Sequence, residues 1–540
     1  SSLGTDGLNN IGGIVNIPFN YFSLRFSTFK SYSNGFRHNI VRNLKNTNKR
    51  DEFVNRFKLN FKPNEKLSLL VALLFSKQDN GYDIWAPDNN QKFKTYTDRE
   101  GFDSQITKGF SLRSSYKPFS AIEIINITSL SDIDLEHSYD GDWADSSYWH
   151  DNHGFDPLIE YYEYDFYDKN ERNRKTFTHE LRIKSSKLIS GLYYKTLNEK
   201  DFAEGYLYGG TANVASGEYD IENYATYFQY SQNLGSKVKL KTNFRYEISD
   251  MKYDGETADT YYNTIIPSVR SKLDFKMFSH SIVLDYRPNI YNSFFIASSR
   301  GYKSGGINQE PNLSISSRDY SPEYHDNVEL GVKYRTKKSY STINVFRNDR
   351  TNQHVMISSQ QIQGDPNSFL FYTANAGKGT NLGLELRTNY VLGKIEIGAD
   401  VGLLRTNVDA FSFNVSIDSV ITGGDRESAM APNLNGSTYL LLNINKSLYL
   451  NVSASYKSEY YFSDNHNQKS NPYNLFNLSF GYRFENLEIT LWTRNLFNQI
   501  YETRGFYFGL IPPNFEDELF KSYGDPRQMG ISLNYQVLKK

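Results

Sequence analysis

From Asn474 to Arg504 the chain reads NLFNLSFGYRFENLEITLWTRNLFNQIYETR, and apolar and polar side chains alternate with a period of two. Phe476, Leu478, Phe480 and Tyr482 fall on one side, and Asn477, Ser479, Gly481 and Arg483 on the other. After a short turn at Glu485-Asn486, Leu487, Ile489 and Leu491 repeat the pattern against Glu488, Thr490 and Arg494. A period of two is the period of a strand, so this stretch is a β-hairpin with one apolar and one polar face. The pattern recurs. Leu67, Leu69, Val71, Leu73 and Phe75 make one apolar stripe. Val238, Leu240, Phe244 and Tyr246 make another, opposed by Lys237, Lys239, Lys241 and Arg245. Val328, Leu330, Val332 and Tyr334 oppose Asn327, Glu329, Lys333 and Arg335. Several cations on one strand face need water, not a packed core.

Roughly 22 such segments can be placed along the chain, with ambiguity around 80–105 and 353–378. Aromatic residues make up 16% of the chain, yet the mean hydropathy is -0.61. A soluble β protein would carry more aliphatic core. A membrane barrel accounts for both numbers, because only alternate residues meet lipid and aromatics girdle its two interfaces. The connections alternate in length as such a barrel requires. Short ones lie at Lys62–Glu65, Lys117-Pro118, Asn233–Gly235, Lys337-Lys338 and Leu392-Gly393. Long ones are expected near 79–103, 138–172, 202–218, 251–262, 303–323, 353–378, 409–433, 460–472 and 498–526. The fold class is therefore all-β: a transmembrane antiparallel barrel with short periplasmic turns and long extracellular loops. No apolar run of helix-spanning length exists, which says nothing against strands. There is no cysteine, so no disulfide or thiolate metal site can form, and a net charge of -1 gives no reason to expect nucleic-acid binding. No motif calls for a cofactor.

Several segments resemble TonB-dependent outer-membrane receptors of the siderophore or iron-complex type. They are RNLFNQIY at 494–501 and GDPRQMGISLNY at 524–535, Arg300 to Asn308 (RGYKSGGIN), NVELGVKYR after Pro322-Glu323, and Asn375 to Tyr390. Ile11 to Ile17 resembles the closing element of the family's plug domain. The resemblance implies a plug remnant over 1–18 and the barrel over 19–540, with the rest of the plug and the TonB box upstream. The final Val537–Lys540 departs from the family's usual terminal aromatic. By the same resemblance the protein is a bacterial outer-membrane importer, most simply of a ferric siderophore, that binds cargo in its loops and moves its plug when TonB pulls. Cobalamin, haem or an oligosaccharide is the alternative cargo. A haem receptor's loop histidine is absent between Arg300 and the partial motif Glu310–Leu313. A passive porin is the further alternative, and an enzyme is not expected. The implied partners are the ferric chelate, the TonB complex, outer-membrane lipid and lipopolysaccharide, with the receptor acting as a monomer.

The longest loop, 139–172, carries Trp143, Trp149, His150 and His153 among many Tyr and Asp residues. These are expected to contact cargo, the aromatics by stacking on a chelate. The plainer alternative is an ordinary polar outer loop. A direct metal site at His150, His153 and a neighbouring Asp is chemically possible, but recognition of a whole chelate does not need one. Arg300, Tyr302 and Lys303 are expected at the outer rim, where cations meet an anionic chelate. The alternative there is structural, with Gly301, Gly305 and Gly306 permitting a bulge. Lys237, Lys239 and Lys241 are expected to meet plug carboxylates or water.

Overall fold

In the computed structural model, residues 1–207, 212–261, 264–311, 313, 315–360, 369–414 and 420–537 are described. The wall is a 22-stranded antiparallel sheet in which each strand pairs with its neighbours in sequence. Ser2–Gly4 pairs with Gln528–Tyr535 and closes the ring. Closure satisfies every edge, which a sheet in lipid requires. The C-terminal hairpin forms as the alternation predicts: Tyr473–Phe484 pairs with Leu487–Arg494, and Glu485 takes a left-handed φ of 47° in the turn.

Register sorts the two faces. Ile296 lies opposite Leu330, and Leu330 opposite Val345, forming a continuous outward apolar row. The other parity lines the lumen and is largely polar, as at Tyr449, Asn451, Ser453 and Ser455. There one device recurs three times. Tyr227, Tyr439 and Tyr449 lie flat over Gly191, Gly398 and Gly481 on the adjoining strand. A Cβ at those glycines would fall 2.0 to 2.4 Å from the ring. Each hydroxyl then donates to a carboxylate: Tyr227 to Glu180, Tyr439 to Glu396 at 2.7 Å, and Tyr449 to Glu488 at 2.8 Å. The glycine makes room for the ring, and the carboxylate holds its polar end against the wall.

In the segment expected as a plug remnant, Asn9–Pro18 pairs along its whole length with Phe22–Ser33, and its Pro18 leads into the turn at Phe19–Tyr21. One expectation is corrected here. The long loops expected at 202–218 and 251–262 are mostly strand. Leu188–Leu207, Ala212–Leu234, Val238–Asp259 and Thr264–Tyr286 run well past the length a bilayer needs. Their outward residues beyond the lipid are charged, such as Asp220, Glu222 and Lys252, which disguises them as loop. The ambiguous stretch 353–378 is a separate hairpin, His354–Gln360 with Phe369–Asn375, that stands outside the wall.

Candidate functional site

The buried core of this protein lies in its loops. Three long loops, 82–101, 141–166 and 495–527, meet around Trp85, Trp143, Trp149, Phe155, Tyr164, Leu510 and Phe520. Trp85 stacks on Trp143 with centroids 5.3 Å apart and planes 11° apart, and Phe520 meets Trp143 edge-on at 5.4 Å. Tyr164 donates to the Leu510 carbonyl at 2.5 Å, tying the second loop to the third. Asn89 makes a reciprocal pair across the first and third: it donates to Leu519 O at 2.9 Å and accepts from Lys521 N at 2.7 Å. Arg37 brings in the loop after Ser33, donating to Ser522 Oγ and Tyr523 O at 3.4 Å. Burial pulls its guanidinium down to about 10, against the attraction of Asp83 and Asp525.

Within this lid the helix Ser146–His153 is locally specified. Asp145 caps it by accepting from Tyr148 N at 2.9 Å, and Gly154 ends it at φ 70°. Beneath the helix three carboxylates converge. Asp140 accepts from Trp143 N at 3.1 Å and Asp98 N at 3.0 Å, and Asp142 accepts from Phe166 N at 3.3 Å and the Trp149 indole at 3.4 Å. Burial first, and then the neighbouring Asp140, raise both Asp98 and Asp142 above the usual carboxylate range. The knot therefore retains protons that free aspartates would release.

A second group of loops forms its own core around Val355, Ile357, Tyr372, Val408 and Phe411. Asn308 joins it to the strand end after Lys303, donating to Thr373 O and accepting from Thr373 N, both at 2.8 Å. Ile307 packs on the lumen side of the wall against Met251, Tyr253 and Val269.

The residues expected to touch cargo divide into two sets. Trp149 is fully buried and Trp143 is 6% exposed, so their rings are used in holding the lid together. Arg300 lies opposite His280 and Asp326 on the outward register, where it pairs with Asp326 at 2.8 Å and covers the Tyr324 ring. After Arg300 the strand parts from Thr264–Tyr286, and Tyr302 turns to the lumen, its hydroxyl 2.9 Å from Glu247 and 3.3 Å from Arg245. Lys303 is exposed. His150 is exposed and bonded to Asp151 at 3.0 Å, which raises its pKa. His153 lies tilted against Tyr148 and Trp149, with centroids 6.0 and 5.5 Å away. Among the described residues no three His, Cys, Asp or Glu side chains converge to hold a metal. Sequence reasoning missed the Tyr302–Glu247–Arg245 contact, because its members lie 55 and 57 residues apart.

The family model described as TonB dependent receptor-like, beta-barrel, matches residues 18–496. The chain belongs to the TonB-dependent receptor family. Family membership places it among transport receptors of the outer membrane, which are not enzymes, and apart from the passive porins. The receptor's fold is shared by solved structures at low identity. The ferric yersiniabactin uptake receptor FyuA from Yersinia pestis is 13% identical with a TM-score of 0.81, over 99% of this chain and 79% of that one. The siderophore receptor PiuA from Acinetobacter baumannii is 13% identical at 0.76, over 99% and 80%. The copper transporter OprC is 12% identical at 0.71, over 99% and 79%.

Proposed function

We propose that the receptor imports a ferric siderophore, binding it under the loop lid and releasing it through the lumen when a plug moves under TonB control. The observation that carries the reading is the lid. Four loops distant in sequence are packed into one body at the loop end of a wall whose lumen is too wide for its own side chains to fill. Such a mouth can hold cargo tightly in one state and release it in another, which is what energised import requires. The plug is proposed to come from sequence upstream of Ser1, consistent with a chain that spans about four-fifths of the neighbours' lengths. Tyr302 and Lys303 on the strand end, with His150 and His153 on the lid, are the proposed cargo contacts. Arg300 was a candidate on the same segment but is occupied by Asp326. A monomer surrounded by lipopolysaccharide completes the proposal.

The test is uptake of radiolabelled iron from a panel of chelators. The host lacks its own receptors, keeps TonB and expresses the full-length parent of this chain. Accumulation from one chelate that disappears without TonB is the expected result. No uptake from any chelate, with the protein folded in the membrane, would overturn the siderophore reading in favour of cobalamin, haem or an oligosaccharide.

A further inference from the structure

Seven of the short connections, with the strand ends beside them, carry exposed lysines: Lys62, Lys66, Lys117, Lys187, Lys237, Lys337, Lys338, Lys394 and Lys446. The connections themselves hold few acids, such as Glu65 and Glu485. Glu123, at the start of the neighbouring strand, is taken up by Lys184 at 3.3 Å. With a net charge of only -1 for the chain, this end is markedly cationic while the lid holds the clustered carboxylates. Directly inside the turns lies a second tier. Tyr116, Tyr286, Tyr334, Tyr390 and Tyr482 close the turn ends of their strands and are 41 to 49% exposed. They continue the outward apolar rows; Tyr334, for instance, is two residues on from Val332 and four from Leu330.

Aromatics of this kind sit at the level of lipid headgroups, because one end of the ring is apolar and the other wet. Lysines one to four residues beyond three of them, Lys117 after Tyr116, Lys337 after Tyr334 and Lys394 after Tyr390, are long enough to place their ammonium groups at the phosphate plane with their stems against the interface. In outer-membrane barrels the short turns face the periplasm, so the leaflet at this end is the phospholipid one. We propose that the lysine belt binds the phosphates of anionic phospholipids in that leaflet and so fixes the depth of the barrel. Charge complementarity, together with continuity from the lipid-facing rows through the tyrosines to the lysines, favours lipid over an acidic protein as the occupant.

The chain, folded into vesicles of mixed phosphatidylcholine and phosphatidylglycerol, is extracted in mild detergent and its retained lipid is counted by mass spectrometry. Phosphatidylglycerol should be enriched over the vesicle composition by about fivefold or more, the factor expected for one lysine near an anionic surface. Enrichment should collapse in high salt, where the screening length falls to about 3 Å. Replacing all nine lysines by glutamine should abolish it. K252Q/K272Q/K276Q, which removes cations from the outward face at the loop end, should retain it. Absence of enrichment in the unaltered chain overturns the proposal and leaves an acidic polypeptide as the belt's partner. Enrichment that survives high salt, or is lost only in the loop-end variant, also overturns it. The salt arm needs no variant, so a nine-lysine variant that fails to fold does not block the test.

Discussion

Replacing Trp149 by alanine separates a lid-building role from a cargo-binding one. The side chain is fully buried, with Tyr148, His153 and Tyr164 rings 5.3 to 5.5 Å away. Truncating a buried Trp to Ala removes about 3 to 5 kcal/mol through lost transfer energy and the cavity left behind. The loss falls on the lid, because among the described residues the apolar cluster around the indole is made of loop side chains. At about 1.4 kcal/mol per factor of ten, the lid should open between about a hundred and a few thousand times more often. The assay is limited proteolysis of the folded barrel, with cleavage mapped within 141–166 and 495–527. Cleavage should accelerate by that factor, while the temperature at which the barrel loses its compact gel mobility stays unchanged. If the loops resist protease as before and cargo affinity alone is lost, Trp149 is a cargo contact and the packing argument fails.

Asp142→Asn tests the carboxylate knot. Both Asp142 and Asp98 have folded pKa values raised above the unfolded value, so the folded lid binds more protons than the open one above about pH 4. Lid stability should therefore fall as pH rises, through about 6 for Asp98 and further for Asp142, and the asparagine variant should flatten the fall. Acrylamide quenching of the three lid tryptophans between pH 5 and 9 reads this directly; Trp492 is on the wall. Gly481→Ala places a methyl group 2.0 Å from the Tyr449 ring. It should cost about 1 to 3 kcal/mol of barrel stability in urea, and Tyr449→Ala in the same chain should relieve most of that cost. Asn89→Ala leaves Lys521 N and Leu519 O unpaired. It should cost about 1 to 3 kcal/mol, read as faster hydrogen exchange at Leu519 to Tyr523 with the wall strands unchanged.

The wall was legible because lipid on one side and water on the other imprint alternation on every strand that crosses the bilayer. The hairpin at Tyr473–Arg494 and the strand number follow from that imprint. Where lipid ends, the imprint ends. Around Glu218, Asp220 and Glu222 the outward face of the strand is charged instead of apolar, and the sequence reads as loop although the ladder continues. Ile14 and Val15 are apolar and exposed on both faces, so alternation does not mark Asn9–Pro18 as a strand. At the lid, the residue types were legible but not their orientation. An aromatic that stacks on cargo and one that stacks on another loop look the same in one sequence. Trp143 found its partners more than 50 and more than 370 positions away, in Trp85 and Phe520.

The unequal height of the wall bears on how the mouth can move. Ala212–Leu234 and Thr264–Tyr286 have 23 residues each, whereas Leu434–Asn443 and Leu448–Lys457 have 10. A bilayer uses about 9 to 11 residues of a tilted strand, so the tall sector rises about 30 Å beyond the lipid as bonded sheet. A rim of this shape cannot close like an iris, with every sector moving inward alike. We expect the tall side to act as a fixed jaw, and cargo-driven closure to fall to connections of the low side such as 460–472 and to the lid. An antibody raised against the tall jaw should bind loaded and empty receptor equally, while one against the low side should tell them apart.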